Sequence, residues 1–283
     1  MNVKVIGVIG AGQMGSGIAQ VFAQAGFKVI LQDIDAKRLE SAVAGISKSL
    51  SKFVEKGKLD EAAKNAALAN LQTTTQVADF AAADFVIEAA TENQSLKEKI
   101  FAELDRVAKA GAILATNTSS IPITALAKVT KHPENVVGMH FMNPVPLMKG
   151  VEVIRGEKTN DATHQTVLNL VETLKKSFVR SKDKAGFVAN RILMPMIREA
   201  ILTLQEGVSE KEDIDRCMVD CCNFPMGPLA LADLIGLDTV QSILNVMADG
   251  LKGEQYRPPQ ILNDLVKAGK LGRKTGEGFY VYQ

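Results

Sequence analysis

A glycine-rich turn near the start of the chain restricts its possible folds more than any other feature. An apolar, β-branched run at residues 3–9 predicts a strand that is buried on both faces. Three glycines follow it with the spacing G-x-G-x-x-G: Gly10, Gly12 and Gly15. Apolar residues then recur at helical spacing up to Gly26, and residues 28–31 predict a second strand that leads to Asp33. Strand, turn, helix and strand in this order predict a βαβ unit.

This βαβ unit has the features of a dinucleotide-binding site. The first glycine permits the tight turn, the second lets the backbone approach a pyrophosphate, and the third lets the helix pack against the strand. The helix N-terminus faces the phosphate charge. Asp33 lies where a carboxylate accepts hydrogen bonds from the adenosine ribose and repels a 2′-phosphate. Ile34 rather than arginine comes next, so the sequence favours NAD over NADP, although Lys37 and Arg38 lie close by.

Polar residues follow the remaining predicted strands of this region. Three further apolar segments predict buried strands: residues 84–89, 112–116 and 136–139. Polar side chains come where these segments end: Glu92, Asn117, Ser119 and His140. Because ligands bind beyond the carboxyl ends of the strands in doubly wound sheets, we expect these side chains to share one edge with the glycine turn. The predicted fold class is α/β, a Rossmann-type doubly wound and mostly parallel sheet, followed by an all-helical C-terminal domain.

His140 raises the question of whether it is a packed core residue or a catalytic base. It is one of three histidines, and a proline-containing loop separates it from Glu152. If the segment VEVIRG turns back antiparallel after this loop, Glu152 comes beside His140 and can orient its ring. An isolated histidine among apolar residues is more often a structural residue than a base. The position beyond a dinucleotide-binding unit favours the base.

The chain changes character near residues 182–186 and is mostly helical beyond them. We therefore predict two domains, a NAD-binding Rossmann domain at 1–184 and a helical domain at 185–283 for substrate binding and dimerisation. The apolar surface of the predicted helices exceeds what one small domain buries. This excess favours a homodimer that forms through the C-terminal domain.

Three local patterns in the helical region lead to specific expectations. Ser209 and Glu212 form a capping-box pattern at the start of one predicted helix. Asp238 is expected to cap another helix. Cys217 and Cys221 lie four residues apart without further ligand residues, so we expect them to pack in the core and to bind no metal.

Composition argues against several classes of function. Lysine and arginine total 33 against 32 aspartates and glutamates, so no net positive charge points to a nucleic-acid partner. No apolar run is long enough to span a bilayer, and the N-terminus lacks a secretory pattern. Three cysteines make no disulfide framework and fit a reducing compartment. We expect a cytoplasmic protein with no membrane partner.

A long helix predicted after the second strand carries a lysine stripe. Lys48, Lys52 and Lys56 lie on one face, with Ser49 and Ser51 between them. Such a stripe is usually a solvated face. The alternative is a surface that binds a phosphorylated ligand, and the residues alone leave both interpretations open.

A series of segments extends these observations to the whole chain: GAGQMGSGIAQ, VIEAATEN, ATNTSSIPIT, GMHFMNPVP, VEVIRG, GFVANRIL, EDID, PMGPLALADLIGLD, YRPP and LGRKTGEGFY. In their order and spacing they closely resemble the L-3-hydroxyacyl-CoA dehydrogenase family, in its short single-function bacterial form. So many motifs in order are far more specific than one glycine turn. The resemblance implies an NAD-dependent oxidoreductase that interconverts a (3S)-3-hydroxyacyl-CoA and a 3-oxoacyl-CoA. The implied substrate has a short acyl chain, with 3-hydroxybutyryl-CoA as the leading candidate.

The resemblance also implies roles for individual residues. Those that match the catalytic groups of the family are His140, Glu152, Ser119 and Asn190. Those on the NAD side, besides the three glycines and Asn117, are Asp33, Glu92, Lys97, Asn143 and Lys274. Those that match its coenzyme A contacts are Ser49 and Lys56, which strengthens the ligand interpretation of the lysine stripe. Ser119 is expected to touch the substrate as well.

These residues suit the oxidation of a secondary alcohol. The hydride passes to NAD, and neutral His140 takes the proton while Glu152 fixes its tautomer. Ser119 and Asn190 would hold the substrate oxygen, and domain closure would exclude water. A rival enzyme class, the 3-hydroxyisobutyrate-type dehydrogenases, works with a lysine that GFVANRIL lacks. A non-catalytic dinucleotide-binding relative is the rival outside the enzymes, and the intact His140 and Glu152 argue against it.

Overall fold

The chain divides into two compact units between Asp183 and Lys184 in the computed structural model, which describes residues 3–282. Each unit has its own apolar core. In the first unit the core is built from buried strands and the helices beside them. In the second unit it lies among helices.

The first unit is built on one large sheet. Within the described residues its strands are β1 (Val5–Ile9), β2 (Lys28–Gln32), β3 (Leu71–Thr74), β4 (Phe85–Glu88), β5 (Ile113–Thr116), β6 (Val136–Phe141), β7 (Gly150–Arg155) and β8 (Ser177–Lys182). Their order across the sheet is β3-β2-β1-β4-β5-β6-β7-β8. All neighbouring pairs are parallel except β6 and β7. The order is that of doubly wound dinucleotide-binding sheets, with its switch point between β1 and β4, so the predicted fold class is confirmed.

Helices connect these strands. In the described part of the first unit they are α1 (Gln13–Gln24), α2 (Ala36–Glu55), α3 (Glu61–Ala69), α4 (Gln94–Val107), α5 (Ile123–Ala127) and α6 (Asp161–Thr173). Four of them begin with a side chain that accepts a hydrogen bond from a backbone N–H of the first turn: Asp35, Asp60, Asn93 and Asn160. Such caps satisfy donors that have no partner inside the helix.

The antiparallel pair β6–β7 determines which residues face each other at the site. His140 is directly opposite Glu152 in the register of the two strands. This confirms the expected antiparallel return after the proline-containing loop. The predicted end of the strand is wrong, because pairing with β7 continues as far as Phe141 opposite Val151. His140 therefore lies inside β6 rather than after it.

The second unit is helical, as the sequence predicts. Its described helices are α7 (Ala189–Gln205), α8 (Lys211–Arg216), α9 (Pro228–Ile235), α10 (Leu237–Leu251) and α11 (Gln260–Lys267). A π-helical turn, Cys217–Cys221, continues α8. The segment after α11 forms isolated bridges of Glu277 with Gly272 and with Val281.

This last segment is anchored on α9 by Asp233, which is fully buried. The Asp233 carboxylate accepts hydrogen bonds from the backbone N–H groups of Phe279 and Tyr280 and from the Tyr282 hydroxyl, each at 2.9 Å. Burial, together with the hydrogen bond to Asp233, raises the pKa of Tyr282 to about 12. The C-terminal segment is therefore an integral part of the second unit.

The capping box predicted for Ser209 and Glu212 is wrong. Glu210 is the N-cap of α8, and no side chain among the described residues caps this helix. The chain leaves α7 through Gly207, whose φ of +68° is left-handed. Because α8 begins only after this turn, Ser209 lies one residue before the position from which a side chain caps a helix.

Two further expectations for the second unit are also wrong. Asp238 lies inside α10, whose N-cap is Gly236, and pairs with Lys274 instead of capping the helix. Cys217 and Cys221 are exposed rather than packed in the core. The chain adopts a π turn there, so the four-residue spacing no longer follows the buried face of an α-helix.

Among residues 3–282, no single helix is both long and apolar enough to cross a membrane. The bent pair α9 and α10, which meet at 97°, reaches that length and composition only when the two helices are taken together.

Candidate active site

The glycine turn between β1 and α1 has the shape that the sequence predicts. Gly10 has a φ of +94°, in the left-handed region that favours glycine. A Cβ atom on Gly15 would lie 1.7 Å from the carbonyl oxygen of Gly10, so only glycine lets the helix pack this closely. A Cβ atom on Gly12 would meet no described atom within 4 Å. The backbone at Gly12 therefore faces open space that a ligand can enter.

The start of α1 and the end of β2 meet at this turn. No side chain among the described residues caps α1 at Gly12, and the helix opens on a cavity of about 360 Å³ that Ala11 and Gln13 also line. The N-terminal end of a helix favours negative charge. Asp33 lies directly after β2 and accepts hydrogen bonds from the backbone N–H groups of Ala11, at 2.8 Å, and Asp35, at 3.1 Å. These bonds hold the Asp33 carboxylate beside the turn.

His140 and Glu152 form a buried hydrogen-bonded pair. Nδ1 of His140 lies 2.8 Å from Oε2 of Glu152, and the two residues are 8% and 2% exposed. A carboxylate can only accept in such a bond, so Nδ1 carries the proton. Nε2 is then the ring nitrogen that can accept a proton from a ligand. The strand register thus produces an oriented imidazole ring at the carboxyl edge of the parallel strands.

Glu92 holds the turn that follows β5. Its Oε1 atom accepts hydrogen bonds from the Thr118 hydroxyl at 2.5 Å and from the backbone N–H groups of Ser119 at 3.0 Å and Ser120 at 3.2 Å. Its Oε2 atom lies 3.4 Å from Nζ of Lys97. Burial favours a higher pKa for Glu92, but the charge of Lys97 and the hydrogen bonds outweigh it and hold the pKa below its usual 4.5. An ionised Glu92 therefore fixes the turn that carries Ser119.

Lys97 is almost completely enclosed by protein atoms. Its side chain is 1% exposed, and Nζ lies 2.6 Å from Oε1 of Glu88. Nζ also donates to the carbonyl oxygen of Ala90 at 3.2 Å. Together with Glu92, these residues surround the ammonium group with three oxygen atoms. The direct contact of Lys97 with NAD stays a prediction.

Asn117 connects the end of β5 to β6. Its Oδ1 atom accepts a hydrogen bond from the backbone N–H of Phe141 at 2.9 Å. Phe141 is the residue after His140, so this bond supports the strand beside His140. The contact of Asn117 with NAD also stays a prediction.

Two cavities in the first unit share Pro144 and Pro146 in their walls. The cavity at the glycine turn also includes Asn143. The other has a volume of about 300 Å³. Its polar lining residues are Ser49, Lys52, Lys56 and Lys58. The lysine stripe therefore contributes a basic wall to a cavity beside the proline-containing loop.

Two predicted site residues belong to the second unit. Asn190 lies in the first turn of α7. Lys274 lies in the short turn Arg273–Thr275, with Nζ 2.6 Å from both carboxylate oxygens of Asp238. The predicted roles of Asn190 in catalysis and of Lys274 in NAD binding stay predictions.

Two family models together match nearly the whole chain. The NAD binding domain of 3-hydroxyacyl-CoA dehydrogenase matches residues 5–184, and the C-terminal domain of 3-hydroxyacyl-CoA dehydrogenase matches residues 186–282. The chain belongs to the 3-hydroxyacyl-CoA dehydrogenase family. The predicted family is thereby confirmed.

Individual members of this family are similar to the chain over its whole length. A probable 3-hydroxybutyryl-CoA dehydrogenase of Deinococcus radiodurans is 52% identical, over 98% of this chain and 99% of the relative. A 3-hydroxybutyryl-CoA dehydrogenase of Bradyrhizobium diazoefficiens is 51% identical, over 99% of this chain and 96% of the relative. The crystal structure of (S)-3-hydroxybutyryl-CoA dehydrogenase from Ralstonia eutropha superposes with a TM-score of 0.96, at 47% identity and with all of both chains covered.

Family membership makes the chain an NAD-dependent dehydrogenase, as predicted. The residues present fit this cofactor. The open backbone at Gly12 and the helix start suit a pyrophosphate, and Asp33 suits a ribose. Among the described residues, no group of three or more histidine, cysteine, aspartate or glutamate side chains could hold a metal ion.

The sequence interpretation overlooked several residues that support the site: Glu88, Thr116, Lys58 and Lys176. The sequence does contain a signal for Glu88, because a charged residue inside an apolar strand requires a buried partner. The sequence contains no such signal for Lys176, since the role of Lys176 depends on how the proline-containing loop folds. Its Nζ atom donates to the carbonyl oxygens of Val145 at 2.7 Å and Met148 at 2.6 Å. Burial lowers the pKa of Lys176, and these bonds hold the loop that lines both cavities.

Proposed function

We propose that the chain interconverts (3S)-3-hydroxyacyl-CoA and 3-oxoacyl-CoA with NAD, and that its substrate is 3-hydroxybutyryl-CoA. The observation that carries the proposal is the buried His140–Glu152 pair, at 2.8 Å, on the sheet edge that also carries the glycine turn. The names of relatives at 52% and 51% identity support the short acyl chain.

His140 acts as the general base in this proposal. Nε2 removes the proton from the 3-hydroxyl group, and the Nδ1–H bond to Glu152 stabilises the imidazolium that forms. In the reducing direction the same imidazolium returns a proton to the 3-oxo oxygen. A base positioned in this way contributes a rate factor of about 10²–10⁴.

Ser119 orients the substrate oxygen in this proposal. Glu92 fixes the backbone of Ser119 at 3.0 Å, so the hydroxyl group is presented from a rigid turn. A rigid donor loses little conformational entropy when the substrate binds. When bound, NAD supplies the hydride acceptor. The backbone at Gly12 and the carboxylates of Asp33 and Glu92 would hold it.

The basic cavity next to the proline-containing loop is the proposed site of the coenzyme A phosphates. Lys52, Lys56 and Lys58 provide three ammonium groups, and Ser49 provides a hydroxyl group. Phosphate oxygens accept charge-assisted hydrogen bonds from such donors. The thioester arm would then extend past Pro144 and Pro146, which line both cavities.

The test is the oxidation of NADH with acetoacetyl-CoA, beside free acetoacetate and beside NADPH. We expect rapid turnover with the thioester and NADH, and little turnover with acetoacetate, which lacks the coenzyme A handle. NADPH should react slowly because Asp33 repels its 2′-phosphate. Equal rates with acetoacetate and its thioester would refute the coenzyme A assignment. A lack of turnover with acetoacetyl-CoA, despite NADH binding, would refute the proposed substrate.

A further inference from the structure

Glu88 is a charged residue at the end of an apolar strand, and its side chain is fully buried. Its Oε1 atom accepts hydrogen bonds at 2.6 Å from Nζ of Lys97 and from the backbone N–H of Ala90. Its Oε2 atom accepts a hydrogen bond from the Thr116 hydroxyl at 2.7 Å. One carboxylate therefore joins the ends of two neighbouring parallel strands, β4 and β5.

We propose that Glu88 is a positioning residue for the reaction, which acts through Lys97 and Glu92 on the turn that carries Ser119. The inference rests on the proposed function because that function gives Ser119 its role, to orient the substrate oxygen. The position of the turn that carries Ser119 does not depend on that function. Glu88 itself makes no contact with the substrate in this proposal.

The charges around Lys97 are unequal in number. A single ammonium group, on Lys97, lies between two carboxylates, 2.6 Å from Glu88 and 3.4 Å from Glu92. The shorter distance to Glu88 shows where the ammonium group is held. Because Lys97 is drawn toward Glu88, Glu92 keeps Oε1 directed at the turn after β5.

Removal of the Glu88 charge would change this balance. Among the described residues, Glu92 would then be the one anionic partner left to Lys97, and the attraction between them would draw Glu92 away from the turn. The backbone N–H groups of Ser119 and Ser120 would lose part of their common acceptor. Ser119 would then be less well placed for the substrate oxygen.

Thr116 provides a second connection to the same turn. Its hydroxyl group donates to Glu88 and accepts from the backbone N–H of Thr118 at 3.2 Å. The hydroxyl of Thr118 in turn donates to Glu92. Both routes from Glu88 therefore reach the residues next to Ser119.

The experiment compares Glu88→Gln, which has nearly the same shape without the charge, with Glu103→Gln on the exposed side of α4. We expect Glu88→Gln to lower kcat by about 10- to 100-fold, since a misplacement of about 1 Å can cost this much. The KM for acetoacetyl-CoA and the Kd of NADH, measured by fluorescence titration, should change far less. Hydrogen exchange at the amides of Ser119 and Ser120 should be faster than in Glu103→Gln.

A second pair of variants keeps every charge in place. Thr116→Val removes the hydroxyl group and should lower kcat in the same direction, whereas Thr116→Ser retains it and should restore wild-type kcat. If Glu88→Gln does not fold, these two Thr116 variants still test the positioning role. Wild-type exchange at Ser119 and Ser120 together with wild-type kcat, in either Glu88→Gln or Thr116→Val, would overturn the proposal.

The two proposals fail in different ways. If the wild-type protein does not turn over acetoacetyl-CoA, the proposed function fails. Hydrogen exchange in Glu88→Gln and Thr116→Val still decides whether Glu88 positions the turn, because exchange requires no substrate. If the wild-type protein is active and the variants match it in kcat and exchange, only the positioning role fails.

Discussion

At the scale of single residues, the register between β6 and β7 determines whether His140 faces Glu152. His140 and Glu152 are opposite each other in the antiparallel pair β6–β7. Side chains alternate between the two faces of a strand, so a slip by one residue would turn Glu152 to the other face of the sheet. The sequence predicts this pair because an acid follows twelve residues after the histidine in a segment that can turn back. It cannot predict the distance of 2.8 Å, which depends on where the pairing of the two strands stops.

The role of the carboxylate is tested by Glu152→Gln. An amide nearly preserves the shape but no longer stabilises the imidazolium, so we expect kcat to fall by about 10²–10⁴-fold, the range of general acid–base contributions. NADH binding should be unchanged, because His140 and Glu152 lie outside the glycine turn. The matched control is Glu134→Gln, which removes an exposed carboxylate 3.2 Å from Nδ1 of His132. Wild-type kcat in Glu152→Gln would exclude Glu152 from the mechanism.

At the scale of elements, the lysine stripe on α2 shows what a helical pattern can and cannot tell. The spacing of four residues correctly places Lys48 and Lys52 on one helix, whereas Lys56 is the C-cap residue just after its end. Of the three lysines in the stripe, Lys52 and Lys56 line the basic cavity and Lys48 does not, because the other wall of the cavity is the loop at Pro144 and Pro146. That loop is distant in sequence, so no periodicity within the helix reveals it.

Two variants in the lysine stripe test the coenzyme A site. Lys56→Ala removes an ammonium group from the basic cavity and should raise the KM for acetoacetyl-CoA more than the KM for NADH. A factor of about 10 is expected if one charge-assisted hydrogen bond of about 1.5 kcal/mol is lost. Lys48→Ala, in the same stripe but outside the cavity, should leave both KM values unchanged. An equal rise of the two KM values in Lys56→Ala would contradict the assignment.

The elements that the sequence does not predict share a physical reason. β3, LQTT, is a half-exposed edge strand with a single apolar residue, Leu71, and therefore lacks the apolar pattern by which the other strands are recognised. The π turn at Cys217–Cys221 has no simple sequence signal, and it invalidates the expected core position of the cysteines. Buried strands and long helices are predictable because their patterns reflect burial. Edges and irregular turns depend on their neighbours.

At the scale of the whole molecule, the change from alternating strands to helices is visible in the sequence. The first unit ends at Asp183, and the family models meet between residues 184 and 186. The sequence also predicts a homodimer through the helical domain. Several large apolar side chains of the second unit are exposed to solvent in the single chain: Ile192, Val208, Leu234 and Val281.

The homodimer is tested by a measurement of mass in solution. Sedimentation equilibrium should give about twice the 30.4 kDa of one chain. Ile192→Lys places a charge on a side chain that is 69% exposed, and it should shift the mass toward the monomer if that side chain is buried between copies. Val179→Lys, at an exposed apolar position of the first unit, serves as the control. A wild-type mass of one chain would refute the homodimer.

The anchoring of the last described residues on Asp233 has a consequence for protein synthesis. The first unit has its own core within the first 183 residues, so it can fold while the ribosome is still translating the second. The second unit cannot complete its fold at that stage. Its buried Asp233 carboxylate lacks the donors of Phe279, Tyr280 and Tyr282 until those residues have left the ribosome. The helical unit therefore cannot bury Asp233 with all of these donors in place until residues 279–282 are available, and a chain interrupted before residue 279 lacks all three donors.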